Sequence, residues 1–285
     1  MTHHRYATVG GHRVFYREAG DPAQSTIVLL HGYPTSSFMF RELIEQLAGD
    51  FHVIAPDHLG FGLSDAPPVT EFDYTFDALA GITAGLLAQL HVEQYAIYVQ
   101  DYGAPIGWRL ALSNPSAITG IVTQNGNAYQ AGFVPGFWDG VWEYHRRRDE
   151  NTEDAMRQAL SLEAIRWQYV TGAPDETLID PTVWWHDFAL VSRPGNAAIQ
   201  LDLFADYATN PPLYPRLHEY FRKHQPPLLA VWGEGDQIFG PAGARAFATD
   251  LPEAEVHLLP GGHFLLETAV NEVAQLIRQF FSARR

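Results

Sequence analysis

The stretch YAIYVQDYGAPIGWRLALSN, residues 95–114, changes character at Asp101. Tyr95–Asp101 is short and mostly apolar, as expected of a strand buried on both faces. Gly103–Asn114 has helical spacing, with Pro105 where the first turn of a helix tolerates it. A strand that turns at once into a helix puts Asp101 on a tight turn, and Gly103 two positions later lets the helix approach closely. Val99, two positions before, is bulkier than the small residue such a turn usually carries. An Asp here also suits an ordinary helix cap, so the choice depends on what the rest of the chain supplies.

Upstream, YATVGGHRVFYREAG alternates around Gly10-Gly11 and reads as a hairpin. TIVLL (Thr26–Leu30) and HVIAPD (His52–Asp57) are buried-strand runs, each followed by a helical stretch, Phe38–Leu47 and Tyr74–Leu90. ITGIVTQN (Ile118–Asn125) is a further strand. Downstream come LLAVWGEGD (Leu228–Asp236), a helix after Pro241, AEVHLLP (Ala254–Pro260) and a last helix near Leu266–Phe281. Strand and helix thus alternate in two blocks, which predicts a parallel, doubly wound α/β sheet with an antiparallel opening. Residues 1–125 and 216–285 are assigned to this core. Residues 126–215 break the rhythm: they carry five of the seven tryptophans and helical patterns such as TEDAMRQALSLEAIRWQYV. They are expected to form an inserted helical cap over the carboxyl edge of the sheet, where open α/β sheets bind ligands.

The chain has 285 residues with 46% hydrophobic content, enough for a full core. Eighteen Lys+Arg against thirty-three Asp+Glu give a net charge of −15, a field that repels phosphate backbones, so no nucleic-acid partner is expected. The acidity itself is ascribed to solubility. The absence of cysteine excludes a disulfide framework, Cys-ligated zinc and a Cys nucleophile. No apolar run reaches the ~18 residues of a membrane span, and Met1–Arg5 has no secretory apolar core; no membrane partner and a cytoplasmic location are expected. No phosphate loop, HExxH motif or metal-spaced cluster occurs, so neither metal nor cofactor is expected.

Two other segments weigh on Asp101. Asp236, in WGEGDQIF, closes the next-to-last strand, and His263, in PGGHFLLE, follows the last one. Either alone reads as a cap or surface residue. Nucleophile, acid and histidine in this order, each at the carboxyl end of a parallel strand, form the pattern of a catalytic triad. His31-Gly32-Tyr33-Pro34 follows the first central strand, where a loop can offer a backbone N–H to an oxyanion; Tyr33 and Tyr102 are the two N–H candidates.

HGYPTSS, PDHLGFGLSD, VQDYGAPIG, WGEGDQIF and GGHF together resemble the α/β-hydrolase fold superfamily, in its epoxide hydrolase and haloalkane dehalogenase group. The resemblance covers nearly the whole core and is weaker in the cap. It implies an α/β-hydrolase core with an inserted helical cap, and an Asp nucleophile. The chemistry agrees. A carboxylate attacking an ester carbonyl gives an anhydride that reverts, whereas displacement at sp³ carbon gives a stable ester that a His-activated water can cleave. Esterase and lipase readings are demoted accordingly.

By the same resemblance, haloalkane dehalogenases hold the departing halide with a Trp right after the nucleophile, and some with an Asn in the oxyanion loop. Those places are Tyr102 and Tyr33 here. Fluoroacetate dehalogenases carry arginines shortly after the nucleophile, where this chain has Tyr102 to Ile106. Epoxide hydrolases use two cap tyrosines as ring-opening donors, which the resemblance places at Tyr169 and Tyr207, with His186 as a substitute. The expected function is therefore epoxide opening on a small apolar organic substrate by Asp101, His263 and Asp236. The alternatives are a haloalkane dehalogenase with the same triad and a non-catalytic small-molecule receptor, the latter disfavoured by the complete triad.

Overall fold

Beyond Thr26, TIVLL has no polar side chain to turn toward water, so it needs cover on both faces. In the computed structural model, which describes residues 1–284, it forms β3 (Thr26–Leu30) at the centre of an eight-stranded sheet. Its companions are β1 (His3–Val9), β2 (His12–Ala19), β4 (His52–Pro56), β5 (Tyr95–Val99), β6 (Ile118–Thr123), β7 (Leu228–Gly233) and β8 (Glu255–Leu259). The order across the sheet is β1-β2-β4-β3-β5-β6-β7-β8. Gly10 and Gly11 both take positive φ, +58° and +89°, as a two-residue hairpin turn requires, and Val9 pairs with His12 across it. β2 runs antiparallel to β4, and all strands from β4 across to β8 are parallel.

The connections are helical. α1 (Arg41–Leu47) packs with the C-terminal α11 (Leu266–Ser282), and α2 (Phe76–Gln89) packs with α3 (Gly103–Ser113). Among the described residues six α-helices and no strand lie between β6 and β7, the first five being α4 (Asp139–Arg146), α5 (Glu150–Arg157), α6 (Leu162–Val170), α7 (Thr182–Val191) and α8 (Asn196–Asp206). α9 (Tyr214–His224) returns to the sheet layer by setting Phe221 against Trp108 of α3, and α10 (Pro241–Ala246) links β7 to β8. The helical insertion is tied down by polar contacts: Asp206 accepts the Phe76 N–H at 2.8 Å, and Arg109 donates to Asn210 at 2.7 Å. Among the described residues no helix is long and apolar enough to cross a membrane.

Candidate active site

The parallel strands β3, β5, β6, β7 and β8 all end on one edge, and the residues just past those ends meet there. β5 stops at Val99, and Asp101 takes φ +47°, a conformation costly for a residue with a Cβ and held here by its surroundings. The Gly103 N–H closes the turn on Gln100 C=O at 2.7 Å. A Cβ on Gly103 would run into the Leu30 carbonyl of β3, so only glycine lets α3 start so close to the sheet. The bulk of Val99 is absorbed one helical turn later. Its Cγ1 lies 2.5 Å from where a Cβ of Gly107 would be, too close for one, so a second glycine makes room for it.

The loop after β3 presses equally close, since a Cβ on Gly32 would strike the Asp101 side chain. That proximity lets the Tyr33 N–H donate to Asp101 Oδ1 at 2.7 Å, and the Tyr102 N–H also hydrogen-bonds the carboxylate. Burial pushes the Asp101 carboxyl above its ordinary 3.8, with Asp236 adding to the rise; His263 and the two N–H groups oppose it.

His263 follows β8. Its Nδ1 donates to Asp236 Oδ2 at 2.9 Å, and its Nε2 lies 3.8 Å from Asp101 Oδ2. Burial alone would lower this imidazole, but the charge and hydrogen bond of Asp236, together with Asp101, outweigh it and hold the pKa above 6.5. Asp236 accepts the Ile238 N–H on Oδ1 and the Asn125 side chain on Oδ2, both at 2.7 Å. Asp101, Asp236 and His263 are thus adjacent and buried, with Asp236 on the imidazole.

Polar residues outside the sequence expectation complete the arrangement. Asn125, at φ +50° just beyond β6, grips the acid and also accepts the Gly233 N–H at 3.0 Å. Gln124 donates to the His263 carbonyl at 2.9 Å and is itself held by the Tyr98 hydroxyl at 2.8 Å. Gln100 places its amide nitrogen 2.9 Å from His263 Nε2. The available signal was an amide closing an otherwise apolar strand, as Gln100 and Gln124 do.

Above Asp101 lies a cavity of about 170 Å³. Its walls include Trp138, Val141 and Met156 from the insertion and Ile238 from the core; Tyr33, Tyr102 and Tyr207 also face it. Burial raises the Tyr207 hydroxyl well above 10, with Tyr214, Asp101 and Tyr102 adding to the effect, so it stays protonated and able to donate. Tyr102 is raised well above 10 as well, first by burial and then by Asp101.

Tyr169 does not reach this cavity, and the expectation of a second ring-opening donor there is corrected. Its neighbour Gln168 lines the wall, while Tyr169 points elsewhere, stacks on Phe264 with ring centres 3.9 Å apart and donates its hydroxyl to Asp187 at 2.5 Å. Adjacent residues on a helix diverge by about 100°, and it is Gln168 that takes the inward direction. His186 also lies outside the cavity lining, against Phe38 with ring centres 4.3 Å apart.

A model of the alpha/beta hydrolase fold family matches residues 25–270. An uncharacterized hydrolase of Saccharomyces cerevisiae is 43% identical over 98% of this chain and 97% of its own. Haloalkane dehalogenase 2 of Mycobacterium tuberculosis is 35% identical over 94% of this chain and 91% of its own. An epoxide hydrolase structure from Vigna radiata superposes with a TM-score of 0.78 at 20% identity, covering 99% of this chain and 98% of that one, a likeness of fold. With this match over residues 25–270, which include the loops carrying Asp101, Asp236 and His263, the chain belongs to the alpha/beta hydrolase fold family.

Proposed function

We propose that this hydrolase opens small uncharged epoxides to vicinal diols, without a cofactor, through an ester formed on Asp101. The observation that carries the reading is a carboxylate at the strand–helix turn, on the floor of an apolar cavity, with Oδ2 3.8 Å from the nitrogen of a His oriented by a second Asp. Asp101 attacks one epoxide carbon in line, and Tyr207 donates its proton to the oxygen released. His263, with Nδ1 on Asp236, then takes a proton from the water that attacks the ester carbon. The N–H groups of Tyr33 and Tyr102 receive the oxyanion of this second step. Residues 126–215 act as the cap that shuts this chemistry away from solvent.

Among the described residues that line the cavity there is no Lys or Arg, which supports an uncharged substrate. A volume of about 170 Å³ is close to that of cavities that hold a benzene-sized molecule, about 150 Å³.

Haloalkane dehalogenation is the second reading, favoured by the 35% identical relative of that name. The same triad serves it, but a departing halide requires N–H donors in a dry pocket. The one indole lining the cavity, Trp138, donates its N–H to the Ile238 carbonyl at 2.9 Å, and the residue after the nucleophile is a phenol. The deciding experiment gives purified protein 1,2-epoxyhexane and 1-bromobutane. Diol without bromide supports the epoxide reading; rapid bromide release with no diol replaces it.

A further inference from the structure

Gln100 lies closer than Asp101 to the outward nitrogen of His263. Its Nε2 is 2.9 Å from His263 Nε2, whereas Asp101 Oδ2 is 3.8 Å away. With Nδ1–H given to Asp236, a neutral His263 offers one lone pair at Nε2, and the Gln100 N–H occupies it. The other end of the same amide, Oε1, is fully buried and has no hydrogen-bond partner among the described residues. Burying an amide oxygen unpaired is costly, and an apolar residue would close β5 without that cost. An unpaired acceptor beside the candidate base therefore points to a transient partner, a proton of the reacting water.

We propose that Gln100 is a positioning residue for the hydrolytic step, an inference that rests on the two-step reading above. The water displaces the amide N–H from His263 Nε2 and gives one hydrogen bond to that nitrogen and the other to Gln100 Oε1. Its oxygen then bonds to Cγ of the Asp101 ester, one proton passes to Nε2, and the N–H groups of Tyr33 and Tyr102 hold the oxyanion. Collapse breaks the bond between Cγ and the alkyl oxygen, which takes the proton back from the imidazolium and leaves as alcohol. The remaining carboxylic acid ionises, and its proton replaces the one Tyr207 gave up at ring opening. Until the water enters, the amide also shields the imidazole lone pair from alkylation by the epoxide in the cavity.

The test follows both steps by rapid-quench intact-mass spectrometry with 1,2-epoxyhexane. In Gln100→Leu, ester formation should stay within about threefold of wild type, while hydrolysis slows about 100-fold, the scale of a misplaced reactant, so the ester accumulates. Gln100→Glu keeps an acceptor but sets a charge beside the imidazole. Its hydrolysis should recover at high pH, with the pH midpoint moved upward by about one unit. The proposal is overturned if Gln100→Leu clears the ester at the wild-type rate. It is equally overturned if both steps fall by the same factor while Gln100→Glu keeps the wild-type midpoint, as a merely structural residue would require. An adduct on Asp101 in His263→Gln, together with wild-type clearance in Gln100→Leu, sinks only the role of Gln100. No adduct on Asp101 in His263→Gln sinks the two-step reading with it.

Discussion

Replacing Tyr207 by Phe removes one oxygen from the cavity and almost nothing from the fold. The ring lies among aromatics, with its centre 4.5 Å from Trp138, 5.6 Å from Phe76 and 5.8 Å from Tyr102, and a Phe keeps all of these contacts. Thermal stability should therefore hardly change. Activity should change, because burial keeps this hydroxyl protonated beside Asp101 and so available to a developing alkoxide. Losing one donor to transition-state charge costs about 2.7–4 kcal/mol, or about 10²–10³ in rate. The loss should fall on ester formation from 1,2-epoxyhexane, read by single-turnover mass spectrometry. Tyr169→Phe is the control: Asp187 loses its hydrogen bond from Tyr169, so stability should drop by about 1–3 kcal/mol while the folded enzyme opens the epoxide normally. Full epoxide activity in Tyr207→Phe, or a selective loss of ring opening in Tyr169→Phe, would refute this assignment of donors.

Three further outcomes follow from the same geometry. Asn125→Ala removes a 2.7 Å hydrogen bond to Asp236, so His263 loses orientation: ester hydrolysis should slow about tenfold or more with ester formation little changed, as seen by stopped-flow or quench kinetics. Turnover should fall on acidification, because hydrolysis needs neutral His263 and the Asp236 carboxylate favours the imidazolium; a rate that does not fall on acidification would contradict this. Burial pushes the Asp187 carboxyl up to about 8, so the native state holds a proton that the unfolded chain releases above about 4. That group's stabilising contribution is therefore full at low pH and lost by about pH 8. Asp187→Asn should gain on wild type by up to about 1.4 kcal/mol per pH unit across that interval in denaturant titrations, then stop gaining.

The core was legible because its signals are local and sterically forced. An apolar strand ending in Asp101, with Gly103 beneath α3, allows few other turns, and Asp236 and His263 follow from strand order. Val99 looks like a defect until Gly107 is seen to make room for it, a compensation one helical turn away that spacing alone does not reveal. The insertion was harder to read. No strand pleat or Gly-rich turn fixes which face of α6 looks inward, so the choice between Gln168 and Tyr169 depends on Asp187, eighteen residues on and brought near only by packing α6 against α7. The amides of Gln100, Gln124 and Asn125 carry no reactive group, and their roles emerge only when strand ends converge on His263.

Opening of the epoxide by Asp101 and opening by water are separated by a single turnover in oxygen-18 water. With enzyme in excess over 1,2-epoxyhexane, water attacks Cγ of the ester, so the heavy oxygen should enter the Asp101 carboxylate. The first diol released should carry none. Peptide mass mapping of residues around Asp101 and mass analysis of the diol read both sides of this balance. Heavy oxygen in the first-turnover diol, with Asp101 unlabelled, would mean direct attack by water and would contradict the account.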